Sequence, residues 1–311
     1  MGSAPKNALM KKFKRLIYRW IDQRFLDGCT SYNSLGVRKA SRSKKASRAM
    51  FAKLGIPHAQ GKIFFSPLAA FKFVKEHGYP VVVKPNVGGF SRGSHFPINT
   101  PMQLLKACLL VKVWWPFSVI ERYLEGHNYR IVVIKDEVMG AIERYPAFVI
   151  GDGISTVSHL IEKENQTRQA LQLLPAMYLL KQSQVDKKLL RKQQLELTSV
   201  PLDNQWVNLH NKVALKPGGI VETISPDLVH ADTQQACQRL LSGFDANILG
   251  IDIIMKDSIE KSYLEQECIF LEVNSRPYLQ MHHHPRFGPK PDLNTGYHKL
   301  DQLNIDDADI F

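Results

Sequence analysis

The sequence predicts an α+β fold: one hairpin of apolar strands, several short strands rich in valine and isoleucine, and separate stretches with helical periodicity. At 311 residues, 44% hydrophobic and 23% charged, the chain can bury one large domain or two closely joined lobes.

In chain order, Phe13, Leu16, Ile17, Trp20 and Ile21 recur at three- and four-residue steps among Lys11, Lys12, Lys14, Arg15, Arg19 and Arg24. This predicts a basic amphipathic helix, with a linker completing residues 1–40. The helix is expected to dock on its own domain or to pair with another subunit, as a homodimer or with a partner protein, rather than to lie on a membrane surface. Residues 31–43 are polar and broken by Gly36, which reads as a connection. A helix follows over 44–54, stopped by Gly55-Ile-Pro57, and another over 71–77, closed by Gly78. Tyr79-Pro-Val-Val-Val-Lys-Pro85 is a β-branched run typical of a buried strand, and Ser118-Val-Ile-Glu-Arg-Tyr123 is a second. The hairpin spans 129–134 and 138–144 about Asp136. Helices are expected over 157–165, 179–194 and 231–241, and two strands over 249–255 and 268–273. Residues 291–311, with the acidic run Asp306-Asp-Ala-Asp309, read as a solvated tail.

The net charge of +12 favours an anionic partner. A nucleic acid is not expected, because basic and aromatic residues cluster only in the N-terminal helix. No apolar run reaches the roughly 18 residues of a membrane span, and no signal sequence is visible, so a cytoplasmic protein is expected. Cys29, Cys108, Cys237 and Cys268 lie too far apart to suggest a zinc site or a disulfide framework.

The most informative stretch is Phe270-Leu-Glu-Val-Asn-Ser-Arg-Pro277. Strand alternation puts Glu272 and Asn274 on one face, and Asp252 in Gly250-Ile-Asp-Ile253 can add a carboxylate from a neighbouring strand. Three hard oxygen donors suit Mg2+, with Mn2+ as a substitute, shared with nucleotide phosphates. Lys84 ends an apolar strand just before the glycine-rich Pro85-Asn-Val-Gly-Gly-Phe-Ser-Arg-Gly-Ser94, whose bare amides can approach phosphate. Lys44, near the start of its helix, is a further candidate cation.

The order of these pieces resembles the ATP-grasp superfamily: Lys44 with Gly55-Ile-Pro57, Tyr79 to Lys84, Ile120-Glu-Arg-Tyr-Leu-Glu-Gly-His-Asn-Tyr-Arg130, Gly151-Asp-Gly-Ile-Ser-Thr156, Gly250-Ile-Asp252 and Glu272-Val-Asn-Ser-Arg-Pro277. Within it the chain looks most like the ATP-grasp domain of cyanophycin synthetase and of bifunctional glutathione synthetases, over about residues 41–290. The resemblance implies an ATP-grasp fold, two α/β lobes with the nucleotide between them. The small lobe would take about 80–120 and the large lobe about 125–290. It implies that Lys44 and Lys84 contact the phosphates of ATP, and that Glu121, Tyr123 and Leu124 form the adenine hinge. Asn128 stands where the family has an acidic residue for the ribose. Arg130, Arg144 and Arg276 would face phosphate or the activated substrate. Asp252, Glu272 and Asn274 would hold the metal, and Ser91, Arg92 and His282 would lie against substrate.

The implied activity is an ATP-dependent carboxylate–amine ligase that joins small-molecule carboxylate and amine substrates through an acyl phosphate. A phosphotransferase on a small molecule, or a catalytically silent nucleotide-binding protein, would use the same nucleotide site. Ala214, in Val213-Ala-Leu-Lys-Pro-Gly-Gly219, departs from the Asn-Leu-Ser of related sequences, and the relatives' flanking domains have no counterpart here. The chain is therefore expected to be a stand-alone module, with part of the substrate wall supplied by a second subunit or partner.

Overall fold

A computed structural model describes residues 32–42, 44–86, 93–114, 116–174 and 176–303, with positions 13, 16, 17 and 20. Two antiparallel sheets organise these residues. The chain enters through α1 (Leu35–Arg42) and α2 (Lys44–Lys53). Helix α1 corrects the expected connection over 31–43. The segment's polar character serves packing: buried Asn33, just before α1, donates to the carbonyls of Ile248 and Ser275 at 2.8 Å each, and buried Ser41 of α1 donates to Ser275 Oγ at 2.8 Å. Such bonds satisfy backbone groups that burial would otherwise leave unpaired.

The four-stranded sheet runs β1 (Gly61–Phe64), β4 (Ser118–Arg122), β2 (Val81–Pro85), β3 (His95–Ile98). Helices α3 (Pro67–His77) and α4 (Pro101–Leu110) each start with a proline behind a capping hydroxyl, Ser66 and Thr100. Their inner faces, with Phe73, Leu104 and Cys108, bury against Val81, Val83 and Ile120. This unit begins near residue 61, earlier than the expected 80, because β1 is a four-residue edge strand too short to show a pattern.

The five-stranded sheet runs β11 (Cys268–Asn274), β10 (Ile248–Met255), β5 (His127–Ile134), β6 (Glu137–Tyr145), β9 (Ile220–Ile224). Both faces are covered, so β5 and β10 are almost continuously buried. One face receives α7 (Ala231–Gly243) through Cys237 and Leu240, with Phe51 of α2 set beside Phe270. The other receives Leu279 and Leu300, which pack on Val132, Ile134 and Ile248. Leu300 belongs to α9 (Asn294–Asp301), so the expected tail is an ordered helix as far as it is described; the acidic run 306–309 lies outside the described residues.

A smaller pair, β7 (Phe148–Ile150) and β8 (Trp206–Asn208), packs with α5 (Val157–Ala170) and α6 (Lys187–Lys192). Here the expected helix over 179–194 is cut to a single turn at Gln182–Gln184 and the short α6, because Asp186 caps a new start at Lys188 and Leu189. Residues 13, 16, 17 and 20 are helical, while the rest of the expected N-terminal helix lies outside the described residues.

Candidate functional site

Strand register assembles the centre of the site. Glu272 of β11 lies opposite Asp252 of β10, and Asp252 lies opposite Arg130 of β5, forming a row across three strands. Asn274 pairs with Gly250 one step along, and Arg144 of β6 sits beside the row opposite Asn128. Alternation carries these side chains to the sheet face away from α7.

Asp252 is held by a two-pronged contact, from Arg130 Nε to Oδ1 at 2.6 Å and from Nη2 to Oδ2 at 2.7 Å. Arg144 approaches the same carboxylate at 3.3 Å. Burial alone would raise the Asp252 pKa, but the two guanidiniums overcome it and hold the carboxyl at about 2. Glu272 moves the other way: burial first, and then the neighbouring Asp252, push its pKa up. Asn274 Nδ2 reaches Glu272 Oε1 at 3.4 Å. Two carboxylates and an amide thus lie side by side on one sheet face. No group of three His, Cys, Asp or Glu side chains among the described residues could hold a metal by itself. The third protein donor here would be Asn274.

A second cluster joins the sheets. Glu121 of β4, 3% exposed, accepts from both Lys84 of β2 and Arg48 of α2. Since α2 packs on the large sheet through Phe51, the Arg48 contact ties that sheet to the small one. Residues 123–126 then carry the chain from β4 into β5. Tyr123 stacks on Phe96 at 5.7 Å and donates its amide to Pro80 O at 3.0 Å. Leu124 is half-buried beside it. Below this crossing lies a cleft of about 330 Å³ that brings Asn128 and Arg144 together with Glu125, His127, Glu143 and Lys256. In it His127 Nδ1 is 2.6 Å from Glu143 Oε1, and Asn128 donates to Gly126 O at 3.2 Å.

His282, in α8 (Gln280–His283), is fully buried against Gly140, and neither ring nitrogen has a hydrogen-bond partner among the described residues. Burial, then Arg130, His283 and Arg144, lower its pKa to about 3, so the ring is neutral. Arg276 is half-buried in the segment after β11. Lys44 opens α2, but its side chain, like Ser91 and Arg92, lies outside the described residues.

Sequence reading missed Arg48, whose one signal was its place a helical turn after Lys44, and missed His127, Glu143 and Lys256 in the cleft. It also missed the support of the loop carrying Ala214. Arg168, 0% exposed, donates Nη2 to Gly218 O at 3.0 Å and Nε to Glu164 at 2.8 Å, and Arg286 braces the same Glu164 at 3.1 Å. That loop leads directly into β9, which pairs Val221 with Arg144.

No protein-family model matches the chain. In sequence it is 30% identical over 261 residues to a cyanophycin synthetase of Nostoc sp., covering 82% of this chain and 28% of that protein. A bifunctional glutathione biosynthesis protein of Clostridium perfringens is 27% identical over 212 residues, covering 67% of this chain and 27% of the relative. The chain thus spans under a third of the length of these two relatives. Among solved structures, a bifunctional glutathione synthetase from Pasteurella multocida superposes with a TM-score of 0.64 at 22% identity, over 87% of this chain and 38% of that one. Likeness in sequence and in fold meets in the bifunctional glutathione enzymes, and the chain has the ATP-grasp fold.

Proposed function

We propose that the chain is an ATP-dependent carboxylate–amine ligase that forms an amide or peptide bond on an amino acid or peptide through an acyl phosphate. The observation that carries this reading is the row Glu272, Asp252, Arg130, with Asn274 and Arg144 beside it. It sets donors for a divalent cation directly beside two guanidiniums, the combination a transferring phosphoryl group requires. The donor set fits Mg2+ or Mn2+. The raised pKa of Glu272 beside Asp252 marks two carboxylates whose repulsion a cation relieves, and a pair of carboxylates with one amide leaves further positions for phosphate oxygens. Asp252, Glu272 and Asn274 would hold the ion, which when bound neutralises phosphate charge.

The chain's own residues do the rest. Glu121 holds Lys84 and Arg48 in place, so that both cations stay aimed at the mouth between the sheets, where ATP phosphates would be bound. The 123–126 crossing, with Tyr123 and Leu124, would hold adenine, and the cleft at Asn128 would take the ribose. Arg130 and Arg144 orient and neutralise the activated carboxylate, and Arg276, Ser91 and Arg92 are assigned to the acid and amine substrates, while His282, fully buried, is closed off from them. The small unit would close on the large one as two lobes, excluding water from the activated acyl group.

Incubation with ATP, Mg2+ and a panel of amino acids and short peptides, with and without hydroxylamine, tests this. Acid-dependent ADP release with hydroxamate formation is the expected result. Labelled phosphate recovered on a stable hydroxyl product would instead establish a phosphotransferase.

A further inference from the structure

The chain's charge is sharply divided. Through residue 117 it holds 21 lysines and arginines against three acidic residues, and from 118 onward 20 against 26. The cationic part also exposes its apolar residues. Helix α4 is apolar on both sides: Leu104, Ala107 and Cys108 bury inward, while Met102 is 74% and Leu109 58% exposed. The following turn continues the outer stripe with Val113 at 83% and Trp114 at 57%. Phe65 and Phe117 join it, their rings 5.7 Å apart and Lys112 Nζ lying 4.2 Å over Phe65. A globular surface seldom leaves such a run open without a use for it.

The described positions near the N-terminus repeat the pattern. Phe13, Leu16 and Ile17 are helical and 63%, 64% and 42% exposed, interleaved in sequence with Lys11, Lys12, Lys14, Arg15 and Arg19. None of the three is buried.

We propose that the outer face of α4 and its following turn, together with the exposed helical positions Phe13, Leu16 and Ile17, seats this protein peripherally on an anionic lipid bilayer. Exposed aliphatic and aromatic side chains enter the headgroup boundary, and the lysines and arginines around them meet lipid phosphates and carboxylates. Among the described residues no helix is long and apolar enough to cross a membrane, so the contact lies in the surface plane. Charge argues against a second copy of the chain as the occupant, since a self-complementary interface would set this cationic part of the chain against itself. A nucleic acid would use the charge but gain nothing from Met102, Leu109 and Val113, which have no flat face for a base.

The test is co-sedimentation of the full chain with vesicles of phosphatidylcholine carrying about 30% phosphatidylserine, against phosphatidylcholine alone. Binding is expected only to the anionic vesicles, weakening steeply with salt and accompanied by a blue shift of tryptophan emission. Leu109→Glu/Val113→Glu and Leu16→Glu/Ile17→Glu are each expected to weaken partitioning about tenfold, with unchanged circular dichroism. Equal partitioning onto both vesicle types, or none onto either, overturns the proposal. So does tight binding of a short RNA that both variants leave intact, or lipid-independent dimerisation that both variants abolish. Should a variant fail to fold, the lipid and salt dependence of the unaltered chain still decides.

Discussion

Arg130→Leu isolates what holds the centre of the site before any ligand arrives. The side chains of Arg130 and Asp252 are only 10% and 6% exposed, and two hydrogen bonds of 2.6 and 2.7 Å join them. Removing one partner of such a pair strands a buried charge, at about 3 to 5 kcal/mol. Arg144 remains at 3.3 Å and keeps part of the compensation, so the lower end, about 3 kcal/mol, is expected. Urea denaturation followed by circular dichroism at pH 7 reads this as a lower midpoint. The pH dependence supplies a second, signed readout. With Arg130 present, Asp252 titrates near 2 in the fold against about 3.9 when unfolded, so its contribution is complete above pH 4 and is lost as the pH falls toward 2. In the variant, burial is less opposed and the carboxyl pKa rises, so the side chain relieves itself by protonation. The deficit should therefore narrow between pH 7 and pH 3. A loss below about 1 kcal/mol at pH 7, or a deficit that does not change with pH, would refute the view that this pair is what keeps Asp252 charged.

Three further substitutions probe neighbouring parts of the site. Glu272→Gln removes a carboxylate whose pKa is raised and which makes no salt bridge among the described residues, so the urea midpoint should hold or rise while ATP-dependent turnover drops about a hundredfold or more. A fall in stability would mean Glu272 is structural. His282 is neutral in the fold with a pKa of about 3, against about 6.5 unfolded, so stability is complete above pH 6.5 and falls by about 1.4 kcal/mol per unit as the pH drops toward 3. His282→Gln cannot take up that proton, and its stability profile from pH 7 to pH 4.5 should be flatter than that of the unaltered chain; parallel profiles would refute the assignment. Gly61→Ala would place a methyl 2.4 Å from Glu121 Cγ and 2.8 Å from the Ile120 carbonyl oxygen, crowding the strand that carries Glu121. A loss of about 2 kcal/mol is expected, with weaker nucleotide binding by calorimetry as Glu121 shifts away from Lys84.

How much of this was legible in the sequence depends on the range over which each feature is determined. The strand bearing Asp252 was visible because burial on both faces demands an unbroken apolar run, against which a charged residue stands out, and the edge strand bearing Glu272 and Asn274 because it opens on the apolar run Ile269-Phe-Leu271. Their common face followed from alternation alone. That Arg130 lies opposite Asp252 was not visible, because register joins β5 to β10 across more than a hundred residues of chain and depends on the whole sheet. Element type failed where polar residues work inside the structure: Asn33 and Ser41 bond backbone and side chain deep in the protein, yet by composition they resemble a linker. Asp186 likewise acts as a cap within what reads as one helical stretch. Arg48 was missed for a related reason. On its own helix it is one more basic residue among Lys44, Lys45 and Lys53, and only the packing of Phe51 into the larger core rotates that helix so that Arg48 meets Glu121 of the other sheet. A cation that links two sheets therefore owes its role to the apolar residue three positions later, a dependence that periodicity can suggest but only tertiary packing completes.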